Sequence, residues 1–173
     1  MEMVNFTLED ATKKLRPIMR AVKANIERDG YLHPVAFILS TRNPDTGAFH
    51  EGVALSVISV KGDFGQENRD QFTEQVRSFA LASGALAVAF ISEAWSLQKT
   101  KLSAADKQLL ALEGVEGHPD RQEVVVVTLE HLRGFRSWKA PLARVEGDVR
   151  LGRFVAQPKL RQTKVAQFLP ERK

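Results

Sequence analysis

Four consecutive valines, Val124–Val127, inside the segment Glu123–Glu130 constrain the fold more than any other feature of this chain. β-Branched side chains are stiff at χ1 and suit a pleated strand better than an isolated helix. An unbroken apolar run offers water no polar face, so such a strand belongs inside a sheet. Ala85–Leu97 repeats the pattern, apolar from Ala85 to Ile91 and entered through Gly84. Two interior strands need neighbours, and the rest of the chain must supply them.

Those neighbours read as a hairpin before and a meander after. Pro34–Ser40 and Phe49–Val60 flank Asn43-Pro44-Asp45-Thr46-Gly47, a concentration of turn residues. Beyond the valine strand, Arg133-Gly134 and Glu146-Gly147-Asp148 turn the chain into Phe135–Val145 and then Val149–Val155. The first helix starts at a Thr7/Asp10 capping box, places Leu8, Ala11, Leu15, Ile18, Val22 and Ile26 at helical spacing, and stops at Gly30. Pro17 predicts a kink or break within it. A second helix carries Phe72, Val76, Phe79 and Ala80 on one face, and a short third runs over Ser103–Leu112 behind a Ser103/Asp106 cap pair. Glu113–Asp120 reads as a loop, and Ala156–Lys173 as a tail without clean helical spacing. The expectation is a single α+β domain over 1–155, with a largely antiparallel sheet and helices packed on one face, followed by a basic tail over 156–173. The second helix is placed to make one parallel crossover.

Charge is divided along the chain. Residues 1–130 hold 14 Lys and Arg against 18 Asp and Glu, whereas residues 131–173 hold 11 against 3. A basic C-terminal quarter on a mildly acidic body points to an acidic partner for that end. The candidate docking residues are Arg133, Arg136, Trp138, Lys139, Arg144, Arg150 and Arg153. Arginine interleaved with aromatic side chains suits single-stranded nucleic acid, and a plain solvated sheet face is the competing explanation. There is no cysteine, which excludes disulfides, thiolate metal sites and thiol nucleophiles. The longest apolar run, seven residues, falls short of the roughly 18 needed to span a bilayer, and the start lacks the shape of a signal peptide. The expected location is cytoplasmic, with no cofactor and no metal.

Two places carry candidate chemistry. Glu93 shares a strand face with Ile91 and Trp95; buried, its charged form is disfavoured and the group suits a general acid, while at the strand's wet end it means nothing. His118, Asp120 and Glu123 stand at a loop-to-strand transition next to Arg121. These are metal-ligand types, but ordinary turn chemistry also explains them. If the Ala85–Leu97 and valine strands are adjacent and antiparallel, Glu93 comes close to Glu123, and Arg121 or water rather than a metal should sit between them. His50-Glu51 lacks the spacing and the cysteines of a zinc deaminase.

Asp29–Phe37, Ile91–Trp95 and Glu116–Val124, within residues 5–155, resemble a group of small uncharacterised bacterial or phage-associated α+β proteins. The resemblance implies a fold and no activity. A non-enzymatic module docking nucleic acid or an acidic protein is the leading expectation. A hydrolase built on Glu93 and His118–Glu123 is the alternative. A homo-oligomer clasped through Leu160, Val165, Phe168 and Leu169 of the tail is the third.

Overall fold

The computed structural model describes residues 5–60, 65–97, 101–158 and 168–169. Among these, α1 (Leu8–Asp29) leads into the hairpin β1 (Val35–Arg42) and β2 (Phe49–Ser59), followed by α2 (Gln66–Ala82) and β3 (Ala85–Leu97). Then come α3 (Ala104–Glu113), a 3-10 turn over Val115–Gly117, β4 (Arg121–His131), β5 (Gly134–Val145), β6 (Asp148–Leu151) and the two-residue β7 (Val155–Ala156). The fold is α+β. The sheet order is β2-β1-β3-β4-β5-β6, with β7 also on β5, and every neighbouring pair is antiparallel.

The valine strand lies where its composition requires, between β3 and β5, with Val124, Val125 and Val127 fully buried. The crossover takes a specific form: α2 carries the chain over β1, so β2 and β3 point the same way without pairing.

Alternation of side chains across the strands separates two cores. On one face Leu39, Ala87, Ala89, Ile91, Val125, Val127 and Leu129 pack against Ala11, Leu15, Val22 and Ile26 of α1. On the other, Ala36, Ile38 and Val88 pack against Phe72, Val76 and Ala80 of α2. The one-face arrangement therefore describes α1, and α2 adds cover to the second face.

The sequence expectation needs correction in two places. Pro17 does not divide α1, which is one helix of 22 residues. The proline forfeits a hydrogen bond to the preceding turn, but the buried face on both sides of it, Ala11 and Leu15 before and Val22 and Ile26 after, holds the helix together. The last strand of the meander is two pieces, β6 and β7. Pro141 of β5 has no N–H to give, and the Gly152 N–H instead donates to the Pro141 carbonyl at 2.8 Å. A Cβ at Gly152 would stand 2.6 Å from the Pro141 ring, so only glycine fits this approach.

The tail contributes to the second core. Phe168 and Leu169 are 3% and 6% exposed, and the Phe168 ring centroid is 5.7 Å from that of Phe90. Their backbone N–H groups donate to the two carboxylate oxygens of Glu130, each at 2.9 Å. Two tail residues expected to clasp a neighbour are thus buried against their own chain. Leu160 and Val165 lie outside the described residues.

Candidate functional site

Register brings the first candidate residues together. In the β3–β4 ladder Glu93 is opposite Val125 and Trp95 opposite Glu123, so both carboxylates project from the same face on adjacent strands. That face belongs to α1, but both residues stand toward the end of the sheet where the chain passes from α1 to β1. The β4–β5 register puts Ala140 opposite Val125, so Leu142 and Arg144, two and four residues further along β5, share this face.

Arg144 closes the group. Its Nε donates to Glu123 Oε2 at 3.0 Å and its Nη2 to Glu123 Oε1 at 3.1 Å, while Nη2 also reaches Glu93 Oε1 at 3.4 Å. Nη1 donates to the Gly30 carbonyl. Glu93 Oε1 accepts the Leu32 N–H at 2.9 Å. Arg144 and Glu93 therefore tie the α1–β1 connection, Gly30 to Leu32, to the end of the sheet.

Burial pushes Glu93 above the usual carboxylate range, and the Glu123 charge adds to that; the Leu32 N–H and Arg144 pull the other way and lose. Arg144 is raised, first by its hydrogen bond to Glu123. The expected cation between the carboxylates is present, but it is Arg144 and not Arg121. The Arg121 guanidinium instead lies 4.9 Å over the Trp95 ring, and its Nη1 donates to the His118 carbonyl at 3.3 Å. The sequence spacing singled out Arg121 because it is local; Arg144 arrives only through the β4–β5 pairing.

His118 does not join the carboxylates. It is 2% exposed and turned toward α3, with Nε2 at 2.7 Å from Asp106 Oδ1. Its Nδ1 accepts the Asp120 N–H at 3.0 Å, which places the ring proton on Nε2 as donor to Asp106. Asp106 Oδ2 also accepts the Ser103 N–H, 3.0 Å away, as part of the α3 capping box. One carboxylate thus caps a helix and orients a buried imidazole. Asp120 enters through its backbone, with an exposed side chain. The four residues proposed for a hydrolase are divided between these two constellations. Among the described residues no three His, Asp or Glu side chains group as metal ligands would.

The basic residues are divided too. Arg136 donates to Glu9 Oε2 and Thr12 Oγ1, both at 2.9 Å, joining β5 to α1. Trp138 is half-buried against the α1 core and serves as packing. Lys139 projects from the opposite face and donates to Ser96 Oγ at 3.0 Å, and no carboxylate among the described residues pairs with it. Arg133, Arg150 and Arg153 are exposed, and no carboxylate among the described residues pairs with them. Lys159, Arg161, Lys164, Arg172 and Lys173 lie outside the described residues.

The role of Glu130, the contact of Asp106 with His118 and the Arg136–Glu9 pair escape a reading of the sequence. The signal for Glu130 is the same as for Glu93, a carboxylate on an otherwise apolar strand; for Asp106 it is the second oxygen a capping box leaves free. No protein family, curated protein or solved structure matches the chain, and the resemblance drawn from its sequence gains no support there. No described helix is long and apolar enough to cross a membrane.

Proposed function

We propose that the protein is a binding module that docks an acidic macromolecule through its basic C-terminal region. One observation carries this reading: the chain concentrates 11 Lys and Arg against 3 acids after residue 130, and Arg133, Arg150 and Arg153 project into solvent without a carboxylate partner among the described residues. An unpaired surface cation is held only by water and is available to a phosphate or carboxylate at little desolvation cost. Lys139 joins this set. Arg136 and Arg144 leave it, because their charge is spent on Glu9 and on Glu123 with Glu93.

The enzyme alternative draws less support. Glu93 and Glu123 both hold a guanidinium, and His118 is buried against Asp106, so neither group presents an unoccupied acid–base pair. The test is direct. Fluorescence anisotropy with labelled single- and double-stranded oligonucleotides, and with polyglutamate, should show binding at about 50 mM salt, weakening as salt rises. Binding to nucleic acid alone identifies the partner class; binding to none of the three removes the reading.

A further inference from the structure

We propose that the chain pairs with a second copy of itself along the outer edge of β2, extending the sheet across a two-fold axis. β2 ends the strand order, and among the described residues no strand pairs with its outer edge. The Val60 N–H donates to the Pro34 carbonyl, which fixes the phase of the β1–β2 ladder. In an antiparallel ladder the backbone groups alternate in direction. Those of Ala54, Ser56 and Ile58 therefore turn toward β1, and those of Val53, Leu55 and Val57 turn outward.

Two of these three residues, Leu55 and Val57, carry side chains that lack cover, while Val53 is partly buried against the α1 core. Leu55 and Val57 are 49% and 57% exposed, on the face that α1 shields only further along the sheet. Beside Leu55 an apolar groove runs under α1, lined by Leu15, Ile18 and Phe37. A strand laid on this edge would meet unpaired hydrogen-bonding groups and exposed apolar surface at the same positions. Native sheets ordinarily blunt such an edge with charge, proline or a bulge. The first half of β2 has these, in Glu51, in Gly52 at φ +79°, and in Arg42 over the Phe49 ring. From Val53 to Ser59 there is neither a charge nor a proline.

That uncharged stretch selects the occupant. Paired antiparallel with its own copy, centred on Leu55, Val53 meets Val57 and Leu55 meets Leu55; centred on Ser56, Leu55 meets Val57. Centred on Leu55, all three apolar side chains of this face oppose one another; centred on Ser56, Leu55 and Val57 still do while Val53 meets Ser59, and the other face brings together only Gly52, Ala54, Ser56 and Ile58. No like charges face each other across the seam, although 27% of the chain is charged.

Sedimentation of the full chain across a range of concentrations should show a dimer that dissociates on dilution. Hydrogen exchange on the same samples should show the amides of Val53, Leu55 and Val57 gaining protection with concentration, while those of Ala54, Ser56 and Ile58 are protected throughout. Val57→Lys, at an exposed position, should weaken the dimer at least tenfold. A chain that stays monomeric at high concentration overturns the proposal, as does a dimer whose Val53, Leu55 and Val57 amides exchange as fast as in the monomer. The exchange pattern is read on the unaltered chain, so it decides the matter even if the variant folds poorly.

Discussion

Glu93 and Glu123 stand on adjacent antiparallel strands and close on one nitrogen, Nη2 of Arg144, at 3.4 and 3.1 Å. The guanidinium offsets the repulsion of two half-buried carboxylates, and with Glu93 it fastens the entry to β1 at Gly30 and Leu32. Arg144→Met should destabilise the protein by about 1–2 kcal/mol at neutral pH, between the values for exposed and for buried ion pairs, because all three side chains are partly exposed. Urea denaturation measures it. No change would mean that water serves the carboxylates as well as the arginine does.

The same site sets a pH dependence of definite sign. Burial raises the Glu93 pKa in the folded chain, so above the ordinary glutamate range the folded state holds more of this proton than the unfolded state does. Stability contributed by Glu93 is therefore present at low pH and is lost as pH rises through the raised pKa. Glu93→Gln should flatten the stability profile across that window. A profile unchanged by this substitution would show that Glu93 titrates like an exposed carboxylate.

Glu130 and the tail residues act as one latch. Phe168→Ala should cost about 3 kcal/mol, the low end for a buried phenylalanine. Glu130→Ala should cost about 2 kcal/mol, since two charge-assisted hydrogen bonds and the order they impose are lost together. A chain ending at Val155 should melt at a lower temperature than the full chain. Equal melting temperatures would place Phe168 and Leu169 outside the stable core.

Asp106 accepts both the Ser103 N–H and the His118 Nε2–H. Asp106→Ala should therefore cost about 2–3 kcal/mol, against about 1 kcal/mol for Ser103→Ala, which removes a cap alone. Chemical denaturation of the two variants separates them. Equal losses would mean that the buried imidazole gains nothing from the carboxylate.

Local chemistry made much of this fold legible in the sequence. The valine run, the Thr7 and Ser103 caps, the Asn43–Gly47 turn and the β3–β4 neighbourhood all follow from propensity and patterning over a few residues. What escaped depends on contacts between distant positions. Pro17 reads as a break because the sequence does not show how firmly Leu15 and Val22 are held. Arg121 looked like the partner of Glu123 because it is two residues away, whereas Arg144 reaches that carboxylate only when β5 lies beside β4. The basic meander looked like one surface, yet Arg136 and Trp138 turn to α1 and Lys139 turns to the other face. The tail lacked helical spacing, and two buried residues held by a carboxylate leave no periodic signal.

The most direct test of the proposed docking role is the salt dependence of duplex binding in the unaltered chain and in two variants. If Arg150 and Arg153 contact phosphates, Arg150→Ala with Arg153→Ala should lower the slope of log K against log salt by about 2, close to 0.9 for each phosphate contact removed. Arg136→Ala should leave the slope unchanged, because Arg136 is bound to Glu9 and Thr12. A slope that falls with Arg136→Ala but not with the double substitution would contradict the account, as would the absence of binding to oligonucleotides and polyglutamate alike.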